Sequence, residues 1–245
     1  MPHPAPHLDG LILAVADADA AAALFTRLGF AVTARQGYGE ILFAAGRLLL
    51  VPAADGRTRL AAVDLAAADP ALVAASLAAA GVGPGPARPG PDGAPRFELP
   101  AAAAPGLNAR LAARRAAAMV PAHDNGVSGL ASLTLLLERP EEAMPAYDRL
   151  FGAFAATPTD DMVTVHGGGP LLFLVDEDGF DHLHANLAIR LPPAPALAAA
   201  AFAVPDLEAL AARLTAAGFT PRRAGPTLSL PPEQMLGLGL EFVQG

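Results

Sequence analysis

"GLILAVADADAAAALFTRLGF", residues 10–30, holds an apolar run, an acidic turn at Asp17 and an alanine-rich helical pattern that stops at Gly29. Three later stretches repeat the arrangement: "LAAVDLAAADPALVAASLAAAG" (60–81), "LASLTLLLERPEEAMPAYDRLFG" (130–152) and "AFAVPDLEALAARLTAAGF" (201–219). The turns fall at Asp17, Asp69, Arg139-Pro140 and Asp206, and the closing glycines at Gly29, Gly81, Gly152 and Gly218, so turn-to-glycine distances are 12, 12, 13 and 12 residues. An aspartate before the first helical turn offers its carboxylate to unpaired amides, and a glycine after the last periodic residue suits a left-handed cap. Leu207, Leu210 and Leu214 recur at helical spacing, as do Met144, Tyr147, Leu150 and Phe151, which read as core positions.

Each helix is followed by a change of period. Residues 30–35, 39–44 and 47–51 form three short β-type runs separated by glycine-bearing turns, and the chain after Gly152 and after Gly218 has the same rhythm. The second repeat is broken by many prolines and glycines, but Arg96 to Leu99 and Leu107 to Leu111 serve as strands there. The unit is strand, helix and three strands, repeated over about 8–53, 58–114, 129–177 and 186–244. At 245 residues and 53% hydrophobic, the chain has ample material for two cores.

Composition removes several classes of function. A net charge of −8 without clustered Lys and Arg argues against nucleic acid, and the absence of cysteine removes thiolate chemistry and disulfides. The start "MPHPAPHLDGLILAVADAD" lacks a basic leader, and acids interrupt its apolar run, so neither a signal peptide nor a membrane span is expected and a cytoplasmic location is. The "GGGP" and "GPGP" runs lack the spacing and lysine of a phosphate loop, and no Ser-His-Asp arrangement has a recognisable local context.

In its four-unit order, and in "GLILAVADADAAAALFTRLGF", "GLASLTLLLERPEEAMPAYDRLFG" and "LGLGLEFV", the chain resembles the vicinal oxygen chelate superfamily of glyoxalases, extradiol dioxygenases and bleomycin-resistance proteins. The resemblance implies an α+β fold in which four βαβββ modules pair into two cup-shaped mixed-sheet domains with helices outside, about 8–118 and 126–245. It also implies where a metal would sit. In metal-dependent members, first strands supply His or Gln and last strands supply Glu to iron, manganese, zinc or nickel. The usual first-strand position lies seven residues before the turn, which here gives Gly10, Ala62, Ser132 and Ala199. The last-strand positions fall around Leu49, Asn108 to Arg110, Phe173 and Glu241, of which only Glu241 is a carboxylate. A divalent site needs three or more converging donors, so no metal and no cofactor is expected.

Glu241 is then either a cup-lining carboxylate that binds a ligand or a solvated strand end. Tyr38 and Glu40 share a parity that could face the first cup, and Ser132 and Thr134 one face of the third module's first strand. His166 ends a strand, and is either a base or donor in the second cup or a hairpin-end residue facing water. His182 and His184 in "DGFDHLHANL" are two apart, but the flanking Asp178, Gly179 and Asn186 predict a solvated loop, and His3, His7 and His123 carry no signal. Three readings remain open. One is a metal-free protein that binds a small apolar or amphipathic molecule in a cup, as monomer or homodimer, without nucleic-acid or membrane partners. The others are a lyase or dioxygenase with an unorthodox site, such as His166 with Glu241, and a structural or interaction protein with plugged cups.

Overall fold

The computed structural model describes residues 5–90, 93–115 and 119–245. The first module comprises β1 (His7–Val15), α1 (Ala18–Arg27), β2 (Thr33–Arg35), β3 (Tyr38–Leu42) and β4 (Arg47–Pro52). The second comprises β5 (Arg59–Ala67), α2 (Pro70–Ala79), β6 (Arg88–Pro89), β7 (Pro95–Glu98) and β8 (Ala109–Ala113). The third follows as β9 (Gly129–Leu136), α3 (Pro140–Phe151), β10 (Ala156–Pro158), β11 (Val163–His166) and β12 (Leu171–Val175). After an intervening α4 (Glu177–Leu183) the fourth consists of β13 (Ala196–Val204), α5 (Leu207–Ala216), β14 (Arg222–Ala224), β15 (Thr227–Ser229) and β16 (Gly239–Gln244).

The caps form as the repeat predicts. Asp17 Oδ1 accepts from Ala20 N at 2.9 Å, Asp69 Oδ1 from Leu72 N at 3.0 Å, and Asp206 Oδ1 from Glu208 N and Ala209 N at 2.9 Å. The third helix lacks a side-chain cap at Arg139; Pro140 starts it instead, with φ already set for the first turn. Leu107 N bonds Ala104 O in a turn, so the last strand of the second module begins at Ala109 rather than at Leu107.

Two mixed eight-stranded sheets result, ordered β2-β3-β4-β1-β5-β8-β7-β6 and β10-β11-β12-β9-β13-β16-β15-β14. Within each module the first strand pairs parallel with the last, and the first strands of two modules pair antiparallel at the centre. Central strands are buried on both faces, which is why β1 and β13 read as nearly unbroken apolar runs. Leu11, Leu13 and Val15 face the helices with Phe25 and Leu28, whereas Ile12, Leu49 and Ala62 cluster on the opposite, concave face.

The core is continuous from one sheet to the other through Phe30, Phe43, Phe202 and Phe242, with Phe30 and Phe202 ring centroids 5.5 Å apart. His123 has a structural role that the sequence did not signal. Its Nδ1 accepts from Ala31 N at 3.0 Å and its Nε2–H donates to Leu42 O at 2.9 Å, which defines the neutral tautomer; burial lowers its pKa. No helix among the described residues is long and apolar enough to cross a membrane.

Candidate functional site

Strand pairing separates the positions counted from the turns: Leu49 and Ala62 lie beside Ile12, two residues along β1 from Gly10, in the apolar cluster of the concave face. In the first sheet, Gly10, Arg47, Asp64 and Arg110 lie side by side on β1, β4, β5 and β8. A Cβ built on Gly10 would come 3.1 Å from Arg47 Cγ and 3.4 Å from Asp64 Cβ, so the Arg47 stem, tied to Asp64, would have to give by a few tenths of an ångström to admit a side chain at position 10. Asp64 is 2% exposed. Its Oδ2 accepts from Arg47 Nη2 at 2.9 Å and lies 3.5 Å from Arg96 Nη1, while its Oδ1 accepts from Arg110 Nε at 2.9 Å. Glu40 Oε2 takes Arg35 Nε at 3.0 Å, and its Oε1 lies 3.5 Å from Arg47 Nη1.

This is a buried ion network built from the sheet's own strands, and it surrounds Gly10 with guanidinium charge. Arg115, 3.4 Å from Asp9 Oδ2, extends the network to the rim. Burial alone would raise the Asp9 carboxyl, but the hydrogen bond from His7 and the charges of Arg115 and Arg47 together hold it below its ordinary value. The residues present do not fit a divalent ion: arginines repel it, and Asp64 and Glu40 are already engaged.

The second cup is closed differently. The connection between β12 and β13 runs from residue 176 to 195, against 53 to 58 for the corresponding link in the first sheet, and its length lets it fold back over the concave face. The loop expected there is in fact α4, N-capped by Asp176 Oδ1 accepting from Gly179 N at 2.8 Å. Phe180, Leu183, Leu187, Ile189 and Leu191 pack against Leu136, Val175 and Ala199. At the end of α4, His184 is buried rather than solvated: its Nδ1 lies 2.7 Å from Glu241 Oε2 and its Nε2 2.8 Å from Thr134 Oγ1. His182, by contrast, is exposed, 3.6 Å from Asp161 Oδ2 at the rim.

Tyr38 and Glu40 therefore lie on the first concave face, Tyr38 packed on the Ile12, Leu49 and Ala62 cluster. Ser132, Thr134 and Glu241 lie on the second, where Ser132 and Ala201 are cross-strand partners. His166 is not brought to them; it is exposed where β11 ends, opposite Leu171. Two second-cup residues were not signalled by the sequence. One is His184, hidden in a polar-looking segment; the other is Ser229, opposite Glu241 on β15, whose buried hydroxyl has no hydrogen-bond partner among the described residues. No three His, Asp or Glu side chains converge as a metal site among the described residues.

The line Thr134–His184–Glu241 has the order of a hydroxyl, a base and an orienting acid. Thr134, however, is 1% exposed, so no acyl group reaches it while α4 is in place. An open cavity of about 500 Å³ lies outside the cups, lined by His7, Asp9, Phe43, Arg115, Gly168 and others. A slot of about 170 Å³ runs along the edge of the second cup between Leu60, Ile189, Arg190, Ala198 and Gly239.

No family model matches the sequence, nor does any curated protein. Solved structures match the fold along the whole chain. A homoprotocatechuate 2,3-dioxygenase variant from Brevibacterium fuscum superposes with a TM-score of 0.72 at 14% identity, over 99% of this chain and 73% of that one. The Mn(II)-bound glyoxalase from Novosphingobium aromaticivorans gives 0.63 at 17%, over 98% and 82%. A xylose isomerase-like TIM barrel/4-hydroxyphenylpyruvate dioxygenase fusion protein gives 0.66 at 16%; this chain, wholly covered, spans 50% of its length. The chain has the paired-module fold of these glyoxalase and dioxygenase structures.

Proposed function

We propose that this chain is a metal-independent binding protein built on the glyoxalase fold, and that its second cup takes a small apolar or amphipathic molecule. The observation that carries this is the contrast between the cups. The first is filled by charged side chains of its own strands. The second keeps a row of polar groups, Ser132, Thr134, Ser229 and Glu241, set among the apolar Leu136, Phe173 and Ala199 and covered only by a separate connecting segment. A few polar groups converging in an apolar concavity is the ordinary make-up of a small-molecule site. The named activities of the similar structures keep a metal-assisted lyase or dioxygenase as the competing reading, but the donor set at the inherited positions disfavours it.

A thermal-shift screen of aromatic, lipid-like and antibiotic compounds, run with and without EDTA, tests the proposal. A stabilising compound whose effect is unchanged by EDTA and reduced by Glu241→Gln supports it. Stabilisation that EDTA abolishes refutes the metal-independent part. No hit in any class favours instead a structural or interaction protein with plugged cups, a reading that the deep burial of both concave faces supports.

A further inference from the structure

The segment that closes the second cup is fixed there by two kinds of contact. Apolar side chains at Phe180, Leu183 and Leu187 hold it to the sheet, and one imidazole bridges Thr134 and Glu241. A buried carboxylate needs a partner, and here the partner is supplied by the closing segment rather than by the sheet. The Ser229 hydroxyl beside it, buried and without a hydrogen-bond partner among the described residues, is a polar group that the closed state leaves unsatisfied. The closed cup is thus matched to a flat ring with a donor on one edge and a second polar nitrogen on the other, and it has one hydroxyl to spare.

We propose that α4 is a resident lid and that His184 occupies the subsite of an external ligand of the same chemistry. That ligand is a small nitrogen heteroaromatic whose N–H donates to Glu241 and whose second ring nitrogen meets Thr134, with Ser229 available to a substituent. The idea rests on the second-cup binding reading and adds its ligand class and its gate. Opening requires α4 to move away from the β10–β11 hairpin, and the packing there is close: a Cβ on Gly179 would overlap the Asp161 carbonyl oxygen. Gly179→Ala is therefore a lid-opening substitution that leaves every sheet residue in place. The slot along Ile189, Arg190 and Gly239 marks the edge from which the lid segment separates.

Two experiments on the full chain test this. In hydrogen exchange of the wild type, a lid opens locally, so peptides spanning residues 177–187 should exchange at least about 100-fold faster than those of β9 and β13. Equal protection overturns the lid. In the second, benzimidazole binding is followed by NMR in the wild type, Gly179→Ala, and Gly179→Ala with Glu241→Gln. Because apparent affinity is reduced by the fraction of open protein, Gly179→Ala should bind at least about tenfold tighter than the wild type, and the added Glu241→Gln should remove the gain. Binding that is equal in the wild type and Gly179→Ala overturns the lid while leaving the binding reading intact. Binding that survives Glu241→Gln undiminished overturns the subsite. If Gly179→Ala does not fold, His184→Ala replaces it: free imidazole should bind that variant and not its Glu241→Gln derivative, and failure to bind overturns the assignment.

Discussion

Asp64→Asn removes one negative charge from the centre of the first cup without changing its shape. In the native chain the carboxylate lies 2.9 Å from Arg47 Nη2 and Arg110 Nε and 3.5 Å from Arg96 Nη1, and is 2% exposed. The amide retains one acceptor oxygen but turns an N–H₂ donor toward guanidinium groups that are themselves donors only. Breaking a buried ion pair by removing one partner costs about 3–5 kcal/mol, because the remaining charge stays desolvated. For a chain of this length each kcal/mol moves the melting temperature by about 2–4 °C, so the variant should melt about 6–20 °C lower. Differential scanning calorimetry reads this directly. Asp55→Asn is the control: the Asp55–Arg59 pair has side chains 51% and 49% exposed, and its loss should move the melting point by no more than about 2 °C. An Asp64→Asn shift as small as that of Asp55→Asn would refute the buried network, showing that the first cup is open to water.

Gly10→His places an imidazole against the Arg47 stem, 3.1 Å from the new Cβ; it should lower stability by about 1–3 kcal/mol in urea unfolding and confer no metal binding by equilibrium dialysis. Glu241→Leu removes the acceptor of His184 Nδ1 and should cost about 1.5–3 kcal/mol, with loss of the hydrogen-bonded imidazole proton from the NMR spectrum. Because burial lowers the His123 pKa below its ordinary 6.5, the folded state binds fewer protons there than the unfolded state. Its contribution to stability is complete above pH 6.5 and is lost as pH falls from 6.5 through the folded value, a loss that His123→Gln should lessen in pH-dependent urea unfolding. Tyr147, fully buried and donating to Pro105 O at 2.9 Å, has its pKa raised by burial above 10.0; its contribution is present below pH 10 and lost as pH rises, so Tyr147→Phe should unfold at a more alkaline pH.

The four modules were legible because everything that marks them is local. A cap at Asp17 or Asp206 bonds amides two or three residues away, and a period of 3.6 or 2 needs only its own segment. Parity likewise placed Tyr38, Glu40, Ser132 and Thr134 on concave faces, because sheet residues two apart share a face. The ion network was not legible, since Asp64 meets Arg47 and Arg110 across 17 and 46 residues and no local pattern couples them. His184 was hidden for a different reason. Asp178, Gly179 and Asn186 look like loop chemistry, yet Phe180 and Leu183 at helical spacing after a capping Asp176 record the face that α4 buries, and Leu187 beyond the helix joins the same cluster. His166 had two readings from the sequence, and the structure has the second: β11 ends at His166, which is exposed.

The claim on which the account depends is that neither cup holds a divalent ion, because guanidinium groups fill the first and His184 engages the one remaining carboxylate of the second. Elemental analysis tests it most directly. The full chain would be expressed with added manganese, iron, nickel and zinc and purified without chelator. The account predicts each metal far below one ion per chain and a melting temperature unchanged by EDTA; a stoichiometric metal whose removal lowers the melting temperature would contradict it.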